Sequence, residues 1–345
     1  MKPIGLRASL ALAATLALTG AASAAGLAGA PAPFDKGDVK IALVSYLSGG
    51  DFVEAYQSGA QLQAHKLGID LRLFPGRQDA AEQRSQVEQA INLGVKAIVI
   101  DHGLPESLKD VAQKALDAGI RVVAFDVDLD NPKIPQIEQS DRQLASLALD
   151  QAVRDNGEQF TAAYVTVPGF PALDRRDTVW TAFKAKYPGI HEVARFGAVT
   201  STTAATVADQ AKAVLRAHPD IGVIFAPYDE FARGTKLAVE ELGLADKVKI
   251  YSADISTADI AEITEPGSPW VATAATNPAT VGAVSIRVAA LAVAGSDPDH
   301  DITVDTVLLT RKALLDAGAK TIDALAVKLP AFGKSTAAKA AWMPD

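Results

Sequence analysis

The sequence has no cysteine among its 345 residues, which excludes disulfides, thiolate metal sites and a lipid-bearing N-terminal cysteine. Basic residues are in deficit. Against 41 acids stand 33 lysines and arginines, a formal net charge of -8, so neither a phosphate backbone nor an anionic membrane surface is an expected partner. The five histidines, at positions 65, 102, 191, 218 and 300, are scattered without an HExxH spacing, which leaves no metal site in prospect. There is also no GxSxG elbow, no GxGxxG after the first predicted strand and no GxxxxGK[ST] loop. Catalytic chemistry therefore has no motif in its favour, and no cofactor and no enzymatic activity are expected.

Long apolar runs are confined to the beginning. Lys2 and Arg7 precede an apolar stretch from Ala8 to Leu18, and Ala22, Ser23 and Ala24 supply small residues behind it, the layout of a cleaved export signal. A membrane anchor needs about 20 apolar residues, and this run is shorter. Residues 1–24 are thus expected to be a signal peptide, cut after Ala24, that delivers a freely diffusing protein to the periplasm. With 49% hydrophobic residues, the remainder has the length and apolar content for two domains rather than one.

Strand and helix patterns alternate along it. Short apolar runs at 41–45, 71–74, 97–100 and 121–125 are separated by helical spacings at 51–67, 79–93 and 105–118, with Gly68, Gly94 and Gly119 at the helix ends. After a polar, proline-bearing connector at 128–135 the rhythm restarts. Helices are predicted over 143–156, 175–187, 203–218 and 230–242, and strands over 162–167, 193–196, 222–226 and 248–252. Such alternation predicts α/β architecture, two doubly wound parallel-sheet lobes. A further strand at 270–276, a helix at 278–294 and a strand at 304–309 are too few for a third domain and are expected to cross back and complete both sheets. The tail, 311–345, carries one predicted helix at 312–317 and is expected to pack on a lobe.

In sheets of this kind ligands sit beyond the carboxyl ends of the strands, and acids recur there. The candidate ligand residues are Tyr46 and Phe52 after the first strand, Asp101 after the third, Asp126 and Asp128 after the fourth, Arg176 in the second half, Tyr228 and Asp229, Asp254, and Thr276. Each carboxylate can accept from vicinal hydroxyls, an arginine donates a planar fork, and an aromatic ring covers the apolar face of a sugar. An aspartate at a strand end can equally cap the following helix, and Asp51 reads mainly as a cap. Ser48, Gly49 and Gly50 before a helix give only a weak sign of an anion cradle.

Stretches 41–44 with Asp51 and Phe52, 58–61, 122–126, 217–221 leading into 224–230, and 250–254 resemble the type I periplasmic sugar-binding proteins, the ribose-binding group of ABC importers, over about residues 38–310. The resemblance implies a hinge of three crossings near Ser140, Thr276 and Val304. One lobe would take 38–140 plus 277–304, the other 141–276 plus 305–310. It also implies hydroxyl contacts from Asp126, Arg176 and Asp254 and ring stacking by Phe52. Departures are Val53 for a second aromatic, Val127 for an arginine, Tyr228 for an asparagine and Ala253 for an aromatic. They point away from ribose and toward an uncharged sugar or polyol in a more acidic pocket with Asp126, Asp128 and Asp254. The expected partners are that solute and an inner-membrane ABC permease, with the receptor a monomer that does not insert in the membrane. An autoinducer-2-like receptor, a receptor coupled to a chemoreceptor or sensor kinase, and an exported carbohydrate-active enzyme are the alternatives.

Overall fold

The computed structural model describes residues 26–47 and 49–344; the expected signal peptide lies outside them, apart from them as Ser48 and Asp345 are. Twelve strands among the described residues sort into two six-stranded sheets. The first holds β1 (Val39–Ser45), β2 (Ile69–Phe74), β3 (Ala97–Asp101), β4 (Arg121–Phe125), β5 (Gln136–Glu138) and β11 (Asp301–Thr303), in the order β11-β5-β4-β3-β1-β2 and parallel throughout. Its central strands β1, β3 and β4 are built on short apolar runs because both faces are covered. Ile41, Leu43 and Val99 point into one core cluster, while Ala42, Val44, Ile98 and Ile100 point into the other.

The second sheet holds β6 (Phe160–Val165), β7 (Ile190–Phe196), β8 (Val223–Ala226), β9 (Lys249–Ala253), β10 (Trp270–Ala275) and β12 (Val307–Thr310), in the order β12-β10-β9-β8-β6-β7. Two doubly wound α/β lobes are present, as expected. One edge differs, since β12 runs antiparallel to β10.

The chain passes between the sheets three times. It leaves β5 for α4 (Asp141–Asn156), which packs on β9 and β10, and returns after β10 into α9 (Pro278–Val293), which packs on α1 (Asp51–Lys66), β3 and β4. The third passage lies between β11 and β12. The strand expected over 304–309 begins only at Val307, as β12; Val304, Asp305 and Thr306 form the passage, and β11, just ahead of them, belongs to the other sheet. The passages are tied together: Ser140 Oγ donates to the Val304 carbonyl at 3.0 Å, and Thr276 Oγ1 to Gln139 Oε1 at 2.5 Å.

Several elements escaped the periodicity reading, β5 and α8 among them. β5 has only three residues and sits in polar sequence; α8 (Thr257–Thr264) is announced by a capping box in which Ser256 and Asp259 bond each other's backbone N–H. Helices α1 and α9 meet backbone to backbone, which two glycines permit. A Cβ on Gly59 would stand 2.0 Å from the Ala279 carbonyl oxygen, and one on Gly282 2.0 Å from that of Tyr56.

The tail, expected on one lobe, touches both. Leu314 in α10 (Arg311–Ala317), Ile322 and Leu325 in α11 (Ile322–Lys328) and Phe332 in α12 (Pro330–Gly333) join the core of the second lobe. Met343 joins the first, and the Trp342 ring lies 5.1 Å from that of Phe34. No helix among the described residues is long and apolar enough to cross a membrane.

Candidate functional site

Three residues that follow parallel strands adopt the left-handed backbone region: His102 after β3 (φ 56°), Asp126 after β4 (φ 50°) and Asp254 after β9 (φ 73°). For a residue with a side chain this conformation costs on the order of 1–3 kcal/mol and persists only where the surroundings hold it. The surroundings do so through the backbone, with His102 N–H donating to Phe125, Asp126 N–H to Ile137 and Asp254 N–H to Ala274, all at 2.8–3.0 Å. The turn swings each side chain off the strand direction toward the seam between the lobes.

Helix α5 (Pro171–Lys186) delivers the countercharge from the second lobe. Arg176, only 2% exposed, donates from Nη1 to Asp254 Oδ2 at 2.8 Å and from Nη2 to Oδ1 at 3.2 Å, a bidentate pair, and from Nη1 to the Pro227 carbonyl at 2.6 Å. Its neighbour Arg175 reaches across to Asp126 Oδ1 at 2.7 Å. Asp141, at the start of α4 and fully buried, accepts from Nε of both arginines at 2.8 Å. Asp141 thus anchors both guanidinium groups.

Burial and the nearby Asp141 raise the Asp126 carboxyl above its ordinary range, against the pull of Arg175 and His102. Asp254 is likewise pushed up by burial, and Arg176 opposes the shift. Burial works against charge on His102, but Asp101 and Asp126 outweigh it and hold the imidazole above its usual value. Its Nδ1 is paired with Asp101 Oδ1, and its Nε2 stands 3.9 Å from Asp126 Oδ2.

These groups meet at a cavity between the lobes, part of it open to solvent. The first lobe contributes Leu47, Phe52, His102 and Asp126, and the first crossing contributes Gln139, whose amide donates to Asp126 Oδ2 at 3.4 Å. The second lobe contributes Phe170, Ala172, Leu173, Arg176, Val199, Tyr228 and Asp254. Polar groups that accept and donate are gathered with a larger apolar lining, the composition of a site for an amphipathic small molecule.

Five of the ten expected residues line this cavity: Phe52, Asp126, Arg176, Tyr228 and Asp254. The other five do not. Tyr46 donates to the Gln78 carbonyl and packs its ring on Phe170 at 5.8 Å. Asp101 stands behind His102, and Thr276 stands behind Gln139. Asp229 is buried in the first turn of α7 (Asp229–Glu241) and accepts from the N–H of the next residue, Glu230. Asp128 is exposed and accepts from the Asp130 N–H, so the pocket has one acid fewer than expected, and both its acids are paired with arginines. Asp51 does cap a helix, though not its own: its Oδ2 accepts from Ala258 N–H of α8 across the seam at 3.1 Å.

His102, Gln139 and Phe170 were not anticipated as lining. Phe170 restores the flat apolar face lost at Val53, and it lies directly before Pro171, the proline that opens α5. That proline was the available signal for a helix start four residues ahead of the predicted one. Among the described residues no group of His, Asp and Glu could hold a metal ion.

A family model described as periplasmic binding protein domain matches residues 41–297. The solved 5-methylthioribose transporter solute binding protein of Thermotoga lettingae, in complex with 5-methylthioribose, superposes with a TM-score of 0.85 at 39% identity, covering 88% of this chain and 97% of that one. A ribose import binding protein of Salmonella typhimurium is 26% identical over 282 residues, 79% of this chain and 90% of that protein. The counterpart from Bacillus subtilis is 26% identical over 208 residues, and the match spans 65% of its length, just under two thirds. With the matched region spanning both lobes and the cavity between them, the chain belongs to the periplasmic binding protein domain family, as a type I member of the sugar-binding kind.

Proposed function

We propose that the protein is the solute receptor of an ABC importer and that its solute is a pentose carrying an apolar group at its terminal carbon, of the type of 5-methylthioribose. The observation that carries this is the mixed lining of the cavity, a few polar groups within a larger apolar share. Asp126, Asp254, Arg176, Gln139 and His102 can exchange hydrogen bonds with vicinal hydroxyls, and Phe52 and Phe170 can cover the faces of a sugar ring. Leu47, Leu173 and Val199 offer no hydrogen bond to a terminal hydroxyl. Burying such a hydroxyl unpartnered costs about 1–3 kcal/mol, whereas a thioether methyl there gains from burial. The protein of known structure with 39% identity was solved with such a sugar, which supports the same reading.

Closure is the mechanism. A solute shifts the balance between open and closed forms only by binding one better than the other, and a solute bonded to Asp126 of one lobe and Arg176 and Asp254 of the other does so. The lobes also hold each other through the Arg175–Asp126 ion pair and the Asp51 cap on α8, so the solute adds to an existing preference. The receptor works in the periplasm as a monomer after cleavage at Ala24 and presents surfaces of both lobes to the permease; its work is binding, not turnover.

Thermal unfolding with D-ribose, 5-methylthioribose, hexoses and polyols tests the proposal. A specific ligand at 100 times its Kd adds about 2.7 kcal/mol, and 5-methylthioribose is expected to raise the midpoint most. A larger rise with an unsubstituted hexose or polyol, or none with any sugar, contradicts it.

A further inference from the structure

A second cavity lies on the far side of α1 and α9, closed by α11 and the tail, with about 1460 Å³ of space that includes open solvent. Its lining is cationic in a protein that is acidic as a whole: Lys66, Arg287, Lys334 and Lys339 face it, with Asp323 as the acid. Two of its side chains are more than nine-tenths buried and carry donors without an acceptor. Gln63, 8% exposed, leaves its Nε2 unbonded, and Arg287, 7% exposed, leaves its Nε unbonded while Nη1 donates to the Ser335 carbonyl at 3.2 Å. Among the described residues no carboxylate, Asp323 included, pairs with Arg287.

A buried guanidinium without a countercharge is costly, and burial alone holds its pKa below the usual arginine value. Gln63 and Arg287 line the cavity with donors left over, beside lysines at its walls, the arrangement that takes an oxyanion.

We propose that Gln63, Arg287 and Lys66 form a binding site for a small oxyanion from solution, a phosphate or carboxylate group, at the seam where the tail spans both lobes. The site is separate from the sugar cavity, which shares none of these residues.

The test is calorimetric and thermal titration of the full exported protein with inorganic phosphate at constant ionic strength, chloride being the control. Saturable phosphate binding is expected, weakened by about tenfold or more, roughly the 1.4 kcal/mol of one charge-assisted contact, in Arg287→Met and by a smaller factor in Lys66→Gln. Lys66 is not buried, so that variant reports even if Arg287→Met fails to fold. Equal phosphate response in wild type and both variants, or none in wild type, overturns the proposal. Sugar titrations of the same variants are expected to match wild type, which keeps this outcome distinct from failure of the receptor reading.

Discussion

Replacing Asp141 by alanine is expected to cost about 3–5 kcal/mol of stability, the range for leaving a buried charge without its partner. The residue is fully buried and accepts from Arg175 and Arg176 together. Removing it leaves Arg176 with Asp254 and the Pro227 carbonyl, and Arg175 with Asp126 and Glu138 at 3.0 Å, so two guanidinium groups are freed at once to shift. Urea unfolding measures the loss. Because both arginines also position carboxylates of the cavity, solute affinity should fall with stability; an Asp141→Ala protein as stable as wild type would remove Asp141 from its anchoring position.

Asp254→Asn is the second large effect, and it falls on binding more than on folding. The amide retains one acceptor but loses the bidentate pairing with Arg176 at 2.8 and 3.2 Å, and with it each charge-assisted bond that the carboxylate offers a sugar hydroxyl, about 1.5–3 kcal/mol apiece. Affinity for the sugar that stabilises wild type most should drop by about two orders of magnitude or more. Arg176 keeps Asp141, so the unfolding midpoint should move less than in Asp141→Ala. Unchanged affinity would place Asp254 outside the working site.

Much of the fold is legible in the sequence because buried parallel strands must be short apolar runs and their helices stop at glycine. The runs at 41–45, 97–100 and 121–125 coincide with β1, β3 and β4 within a residue or two. Legibility fails where the chain changes lobe. β5, Gln139 and the passage at Asp305 belong to the crossings, where no repeating pattern exists because each residue meets a different surface. The site was half legible for a related reason. Asp126 and Asp254 announce themselves as acids at the ends of apolar strands, but whether an acid reaches the cavity depends on the backbone turn. Asp101 still belongs to β3 and only supports His102, the next residue, whose left-handed φ turns its ring into the cavity. Asp229 sits at a helix start and bonds the adjacent N–H instead. In sequence Arg176 is one of four consecutive charges, Asp174 to Asp177, and what distinguishes it from Arg175 is depth, set by the face of α5 that packs on the lobe.

The pocket is also less acidic than its strand ends suggest, since Asp128 lies on the surface and the remaining two acids are neutralised in pairs. What remains for recognition is a polar cluster with a dominant apolar lining, and the proposed preference for a terminal thioether over a terminal hydroxyl rests on it. Calorimetric titration of the purified protein with 5-methylthioribose and with D-ribose under identical conditions tests this most directly. The apolar lining predicts that the thioether sugar binds more tightly by about 10- to 200-fold, the 1–3 kcal/mol that separates a filled apolar pocket from a mismatched one; equal affinities, or tighter binding of ribose, would contradict it.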